Sequence, residues 1–230
     1  MSTGGLLVAE YRLRNMWKWK GAIIAFGIGN PVLYLASVGL GIGALVEANS
    51  PSGVDGVPYL VFLAPALLAA AAIQGGGDET MFPTLAGFVW NKLFFAMRST
   101  SLTGGQIADG ILLAAAVRIL FTTVAYWLVL LAFGAVSWTS ALPLIAVSTF
   151  AGLCWASFLL ALTANVSDDS GFLSLIGRII VMPMFLFSGT FYPLSSLPLA
   201  VQWIGWISPL WHATQLGRWL SYGEIGRAHV

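Results

Sequence analysis

The sequence predicts an all-α protein that crosses a lipid bilayer several times, and three observations carry that prediction. Of 230 residues, 58% are hydrophobic and 8% charged, whereas a soluble domain is about a quarter charged. Mean hydropathy is +0.87. The apolar residues are gathered into runs separated by polar breaks, and most are long enough to cross a hydrocarbon core of about 30 Å. A net charge of +1 without a basic cluster points away from nucleic acid. The single cysteine, Cys154, excludes an internal disulfide, and its apolar run suggests a small core residue. The polar first residues and the long first apolar run do not fit a cleavable signal peptide.

Residues 1–20 mix Leu6, Leu7, Val8, Tyr11, Trp17 and Trp19 with Arg12, Arg14, Lys18 and Lys20. This pattern suits a basic amphipathic helix in the headgroup zone, or ordinary positive sequence flanking a span. Gly21 to Val46 is the first span, with Asn30-Pro31 expected to kink it and Gly39-xxx-Gly43 expected to permit close helix contact. A polar loop from Glu47 to Val57 follows. Pro58 to Ile73 is the second span, and Gly75-Gly76-Gly77 are expected to loosen the helix as it leaves the membrane. Gly110 to Phe133 and Leu142 to Val166 are the third and fourth spans. A tight turn at 167–170 leads to the fifth, Phe172 to Phe187.

Between the second and third spans lies a segment of another kind, Asp78 to Asp109. Trp90, Leu93, Phe94 and Met97 follow the i, i+3, i+4, i+7 spacing of one helix face, beside Lys92 and Arg98. The segment reads either as a surface helix that another protein can push, a handle, or as a connector without a partner. Basic residues flank the first span and occupy the handle, while the loops at 47–57 and 134–141 have none. The positive-inside rule then puts the N terminus and the handle in the cytoplasm. Ser188 to Gly223 falls on the outer side. It is rich in tryptophan and cut by Pro193, Pro198 and Pro209 into pieces too short to span. A re-entrant or interfacial helical hairpin is expected there.

Chemistry is sparse. The glycine triplet is not a phosphate loop, because no Gly-Lys-Ser/Thr follows it and no Walker A motif occurs. His-Glu-x-x-His, Gly-x-Ser-x-Gly and a carboxylate pair within a span are all missing, which disfavours an integral-membrane lipid-modifying enzyme. No inverted repeat supports a secondary transporter. His212 has no second ligand at metal spacing. Arg118, about 12 Å beyond Gly110 at the helical rise, must pair or face water. The choices are a contact for an anionic headgroup in a substrate pathway or a structural pair with Asp109, Asp78 or Glu79. Arg178, near the start of its span, can snorkel to the surface.

Two collinear stretches carry a resemblance. The first is Glu79, Trp90-Asn91-Lys92-Leu93-Phe94-Phe95-Ala96-Met97-Arg98-Ser99-Thr100-Ser101-Leu102, then Ile107, Gly110 and Arg118. The second runs from Phe187-Ser188-Gly189-Thr190-Phe191-Tyr192-Pro193-Leu194 through Leu197-Pro198, Trp206, Ser208-Pro209-Leu210-Trp211-His212 and Arg218. Together they resemble the signatures of ABC-2 type transporter permeases, in the branch of nodulation lipo-oligosaccharide exporters and actinobacterial drug-resistance permeases. Phe95 stands where an acidic residue is usual in that branch, and Ser101 where a proline is usual.

The resemblance implies a type V exporter-like transmembrane domain over residues 1–223, with an N-terminal amphipathic helix and an outer re-entrant hairpin. Five of six expected spans are present, and the sixth is expected beyond a truncated end. Residues 224–230 read as a non-native, adapter-derived tail. The resemblance also implies a coupling helix carried by Glu79, Asn91, Lys92, Phe94, Met97, Arg98, Thr100 and Leu102, and an outer hairpin marked by Ser188, Gly189, Tyr192, Pro193, Pro209 and His212. The implied partners are two copies of a separate ATPase that holds ATP and Mg, a second permease copy and membrane lipids. The implied setting is the plasma membrane of a bacterium, with no cofactor held by this chain.

Overall fold

Short polar breaks between long apolar runs leave the backbone one way to satisfy itself in lipid, which is the helix. The computed structural model describes residues 3–49, 53–166, 168 and 171–223. Apart from an isolated bridge between Val54 and Val57, the regular structure among them is helical. In order these are α1 (Thr3–Trp17), α2 (Lys20–Ser37), α3 (Ala44–Asn49), α4 (Tyr59–Thr80), α5 (Phe82–Leu85) and α6 (Leu93–Arg98). Then come α7 (Gly104–Ala132), α8 (Ala141–Thr163), α9 (Phe172–Ile176), α10 (Met182–Phe187), α11 (Leu199–Ile207) and α12 (Pro209–Tyr222). Four stretches are long and apolar enough to cross a bilayer: Lys20–Val46, Tyr59–Trp90, Gly104–Ala132 and Trp138–Thr163. Phe172–Phe187 is shorter. The polar loop at 47–57 is described only in part, and most of the turn at 167–170 and the tail at 224–230 lie outside the described residues.

The axis of the bundle is α4. Phe62, Leu63, Ala64, Ala66, Leu68, Ala69 and Ala72 are fully buried, and α7, α8 and α12 all pack on α4. Apolar burial gives no drive for helices to associate within lipid, so close backbone approach and van der Waals contact must hold such a bundle. The alanine-rich middle of α4 allows that approach. So do the three glycines, and here the structure corrects the expectation that they loosen the helix end. α4 runs unbroken through Gly75, Gly76 and Gly77 to Thr80. A methyl group added at Gly76 would lie 2.6 Å from the Gly152 carbonyl oxygen on α8. The triplet is a crossing point.

The first span differs in two ways from its expected form. α2 continues past Pro31 to Ser37, and the irregularity comes later, in a π-helical turn at Val38–Gly43. Gly39 and Gly43 lie in that turn, and Gly39 makes only an ordinary approach to Leu60, so they form no tight helix crossing. Pro31 and Leu35 are the buried residues of α2, while Ile24, Phe26, Ile28, Val32 and Leu33 are exposed. It is the least packed of the long helices. Cys154, expected in the core, is exposed on α8.

α1 is held to the bundle by its small face. Gly4, Gly5, Val8 and Ala9 are buried, and a methyl group at Gly110 of α7 would meet Val8 at 2.5 Å and the Gly5 carbonyl oxygen at 2.7 Å. α7 begins with a capping box. Thr103 Oγ1 accepts from the Gln106 amide at 3.2 Å, and the Thr103 amide donates to Gln106 Oε1 at 2.9 Å. Such a cap contributes about 1 kcal/mol and fixes where the handle ends.

Candidate functional site

At the end of α4 that carries the handle, four charges from three helices meet. Glu79 is buried. It receives Arg118 from α7 and, at 3.5 Å, Arg12 from α1. Arg12 Nη2 also donates to the Glu79 carbonyl oxygen at 2.9 Å. Arg118 reaches Asp78 at 3.5 Å, and Asp78 accepts from Gln74 Nε2 at 2.9 Å. Burial pulls the Arg12 guanidinium below its ordinary value, while Glu79 works in the opposite direction. Arg12 Nε is buried without a hydrogen-bond partner. Glu79 is one residue short of the end of α4, and Arg118, midway along α7, reaches it there.

This cluster borders a half-open groove of about 700 Å³ lined by α1, α2, α4, α5 and α7. Asn15, Asn30 and Gln74 line it, with Trp19, Phe26 and Tyr126.

The handle is built around one sharp corner. A π-helical turn at Ala86–Trp90 is followed by Lys92 in the left-handed region, with φ 50°, a conformation costing a non-glycine residue about 1–2 kcal/mol. The chain then starts α6 at Leu93, so Trp90 does not share its face, as the spacing had implied. Trp90 is 54% exposed, whereas Phe94 is 4% exposed. The Phe94 ring stacks edge-on against Phe88 at 4.8 Å and rests on Gly87, where a methyl group would lie 2.3 Å from the ring. Phe94, Val8, Ile107, Ile111 and Leu160 form one apolar cluster, flanked by Met97 and Leu102. The outward surface consists of Phe95, which is 60% exposed, together with Asn91, Lys92, Arg98 and Thr100. Of the residues predicted for coupling, Glu79 lies apart in the charge cluster. Phe94 is an anchor, while Met97 and Leu102 are half-buried beside it.

At the opposite end, α11 and α12 form the expected hairpin, but α12 enters the bundle. Leu210, Trp211, Ala213, Thr214, Gly217 and Arg218 are buried. Ser188 and Ser208 share a hydrogen bond at 2.6 Å, and Ser188 also donates to the Met184 carbonyl oxygen. Ser208 caps α12, with Pro209 at its first position. Tyr192 donates to the Leu186 carbonyl at 2.8 Å, Pro193 opens a short 3₁₀ turn, and His212 bonds the Trp206 carbonyl at 2.8 Å. Arg178 is exposed. Among the described residues no group of His, Cys, Asp or Glu is arranged to hold a metal.

Two residues with large structural roles were not singled out as sites from the sequence. Arg218 lies over the Phe62 ring at 3.7 Å and donates to the carbonyls of Phe62 and Gly189, at 3.3 and 2.9 Å. Its place in the second motif was the only signal, and that string says nothing of burial. Arg12 looked like flanking positive charge, because its partner is 67 residues away.

The arrangement is that of a multi-pass membrane protein with a short amphipathic helix at one end of α4 and a helical hairpin at the other. The chain belongs to the ABC-2 type transporter family, whose model matches residues 6–222, and it is therefore a transporter permease. Within that family it is similar to Nodulation protein J of Rhizobium leguminosarum bv. viciae, at 30% identity over 97% of this chain and 85% of the relative. The Nodulation protein J of Sinorhizobium fredii (strain NBRC 101917 / NGR234) is 34% identical over 92% of this chain and 79% of its own length. That of Rhizobium meliloti (strain 1021) is 30% identical over 94% and 81%. No solved structure matches the chain.

Proposed function

We propose that this chain is the permease of an ATP-driven exporter, energised by a separate ATPase that docks on the handle. In this reading the active complex holds two permeases and two ATPases, and the ATPase alone carries ATP and Mg. The N terminus and handle face the cytoplasm across a bacterial plasma membrane. The substrate is amphipathic: a lipo-oligosaccharide, a lipid-linked glycan or a hydrophobic drug.

One observation carries the reading: the handle presents an exposed aromatic and two cations on a rigid base. Phe95, Lys92 and Arg98 face outward, while Phe94 ties α6 to Val8 of α1 and Ile107 of α7. A push on α6 therefore reaches α1, and through Arg12 it reaches Glu79 and Arg118. A solvated connector would need no such anchor.

The test is reconstitution with a candidate ABC ATPase subunit from the same organism. The expected result is ATP-dependent transport of a fluorescent lipid-linked glycan in inverted vesicles, lost in the Phe95→Asp/Arg98→Glu variant while that variant stays folded. Transport driven by an ion gradient without the ATPase would overturn the proposal.

A further inference from the structure

The fifth span, Phe172–Phe187, is shorter than the four long ones. A π-helical turn at Gly177–Val181 interrupts it, and Pro183 follows just beyond. Between this span and the bundle lies a second half-open groove, of about 230 Å³. Its walls are Ala70 and Ile73 of α4, Val181, Met184 and Phe185 of the fifth span, and Leu210 of α12. Ile73, Met184 and Leu210 are buried, while Met182 at the edge is exposed, so the floor is closed and the mouth opens to lipid. An apolar slot of this kind forfeits dispersion contacts until an apolar chain fills it.

One charge stands at its rim. Arg178 follows Gly177, which lines the groove, and precedes Val181 and Met182 by about one helical turn. It lies about 9 Å along the span from Phe172. Its side chain is exposed, with no ion pair or hydrogen bond among the described residues. Asp78 and Glu79, at the handle end of α4, are already held by Arg118 and Arg12. A guanidinium at that depth needs a counter-charge or a reach to the headgroups. Leu160, near the end of α8, belongs to the Phe94 cluster, so the chain enters the fifth span from the handle side. The headgroups nearest Arg178 are therefore those of the handle-side leaflet.

We propose that this groove holds one acyl chain of an anionic phospholipid from that leaflet, with its phosphodiester on Arg178. The planar guanidinium offers paired N–H donors to two phosphate oxygens. A head of net charge −1 neutralises Arg178, whereas a choline head brings its own cation and leaves the pair positive. A helix from another chain is the poorer occupant, because it must carry a carboxylate into the membrane to meet Arg178. The lipid is a resident of the permease and not its cargo, so the site stands apart from the exporter reading. Its role is to brace the fifth span against α4 and α12. The acyl chain packs on Met184, whose carbonyl accepts from Ser188 at the root of the hairpin, so occupancy also steadies the hairpin.

Gly177 separates the groove from ordinary headgroup attraction. A methyl group added there meets nothing within 4 Å, so Gly177→Phe fills the slot without displacing backbone and leaves Arg178 in place. The purified permease is stripped of lipid in detergent, mixed with phosphatidylglycerol or phosphatidylcholine of the same acyl chains, and read by native mass spectrometry. One phosphatidylglycerol per chain is expected to be retained, in preference to phosphatidylcholine. Retention should fall by about tenfold or more in Gly177→Phe and in Arg178→Gln. It should be unchanged in Lys18→Gln, which removes another exposed cation on the handle side. Added phosphatidylglycerol should raise the melting temperature of the unaltered chain and of neither groove variant. Arg178→Gln alters an exposed side chain without contacts, so it keeps the test open should Gly177→Phe fail to fold. Retention that survives both substitutions, equal retention of the two lipids, or an equal loss in Lys18→Gln would overturn the site. A dimer that forms in lipid-free detergent and is broken by Gly177→Phe would put a protein helix in the groove and overturn the lipid.

Discussion

Gly76 of α4 and Gly152 of α8 touch backbone to backbone. A methyl group on the first would lie 2.6 Å from the carbonyl oxygen of the second, and one on Gly152 would lie 2.6 Å from the Ala72 carbonyl oxygen. No rotamer relieves a clash with backbone, so the helices must separate along the crossing where Ala72, Ala115, Ile119 and Ala156 also pack. Gly76→Ala and Gly152→Ala are each expected to destabilise the solubilised protein by about 1–3 kcal/mol. Gly29→Ala, with nothing within 4 Å, should change little. Denaturation in mixed micelles measures the difference, and equal effects at the three positions would refute the crossing.

Glu79 has no substitute in its cluster. Replacing it with Gln leaves Arg12 and Arg118 with only the partly exposed Asp78 between them. Removing one partner from a buried charge network costs about 3–5 kcal/mol. Asp78→Asn should cost about 1 kcal/mol or less, since its side chain is 44% exposed. The triple variant Arg12→Met/Glu79→Gln/Arg118→Met should recover most of the loss of Glu79→Gln, because the one charge left unpaired, Asp78, has a side chain 44% exposed and can be hydrated. Additive losses would show that the three residues act separately.

The class of the protein was legible because lipid imposes a composition and a helix length that a sequence states directly. Local chemistry was partly legible: the fourfold spacing found Phe94 and Met97 on one side, but a left-handed Lys92 removed Trp90 from that face. Contacts between distant elements were not legible. The glycine triplet reads as a helix breaker until α8 is known to cross there, and in lipid a small residue at a crossing contributes more than its helix propensity costs. Arg12 had the same difficulty, since headgroup attraction and a buried bridge to Glu79 ask for the same residue type. Cys154 sits in an apolar run, yet an apolar run in a membrane protein has a lipid face as well as a core face.

Arg218 spends its guanidinium on an aromatic ring and two carbonyls rather than on a carboxylate within bridging distance among the described residues. The planar fork reaches Phe62 O and Gly189 O at once while its central carbon lies over the Phe62 ring. A lysine ammonium offers neither the plane nor the spread of donors. Arg218→Lys should therefore behave as a disruptive change and destabilise by about 1–3 kcal/mol. Because Gly189 lies at the start of the hairpin, the loss should appear first as faster proteolysis between residues 189 and 198. Protection equal to the unaltered protein would mean that Arg218 does not tie the hairpin to α4.

Phe94 and Phe95 are neighbours with opposite environments, and that separates anchoring from docking. Phe94 lies against Gly87 and Phe88, so Phe94→Ala empties a packed site and should lower stability by about 2–4 kcal/mol. Phe95 keeps most of its surface outside the chain, so Phe95→Ala should leave the melting temperature of the isolated permease within about 1–2 °C. Binding of the ATPase proposed to dock on the handle should show a different pattern. An exposed aromatic at the middle of an interface costs about 2 kcal/mol or more when truncated, so Phe95→Ala should weaken the complex by about thirtyfold. Gly87→Ala should resemble Phe94→Ala in stability, since its new methyl group pushes on the same ring. Titration of the ATPase against each permease variant in nanodiscs, alongside thermal denaturation, reads both quantities. If Phe95→Ala leaves the affinity unchanged while Phe94→Ala lowers stability, the anchor stands and the proposed docking through Phe95 falls.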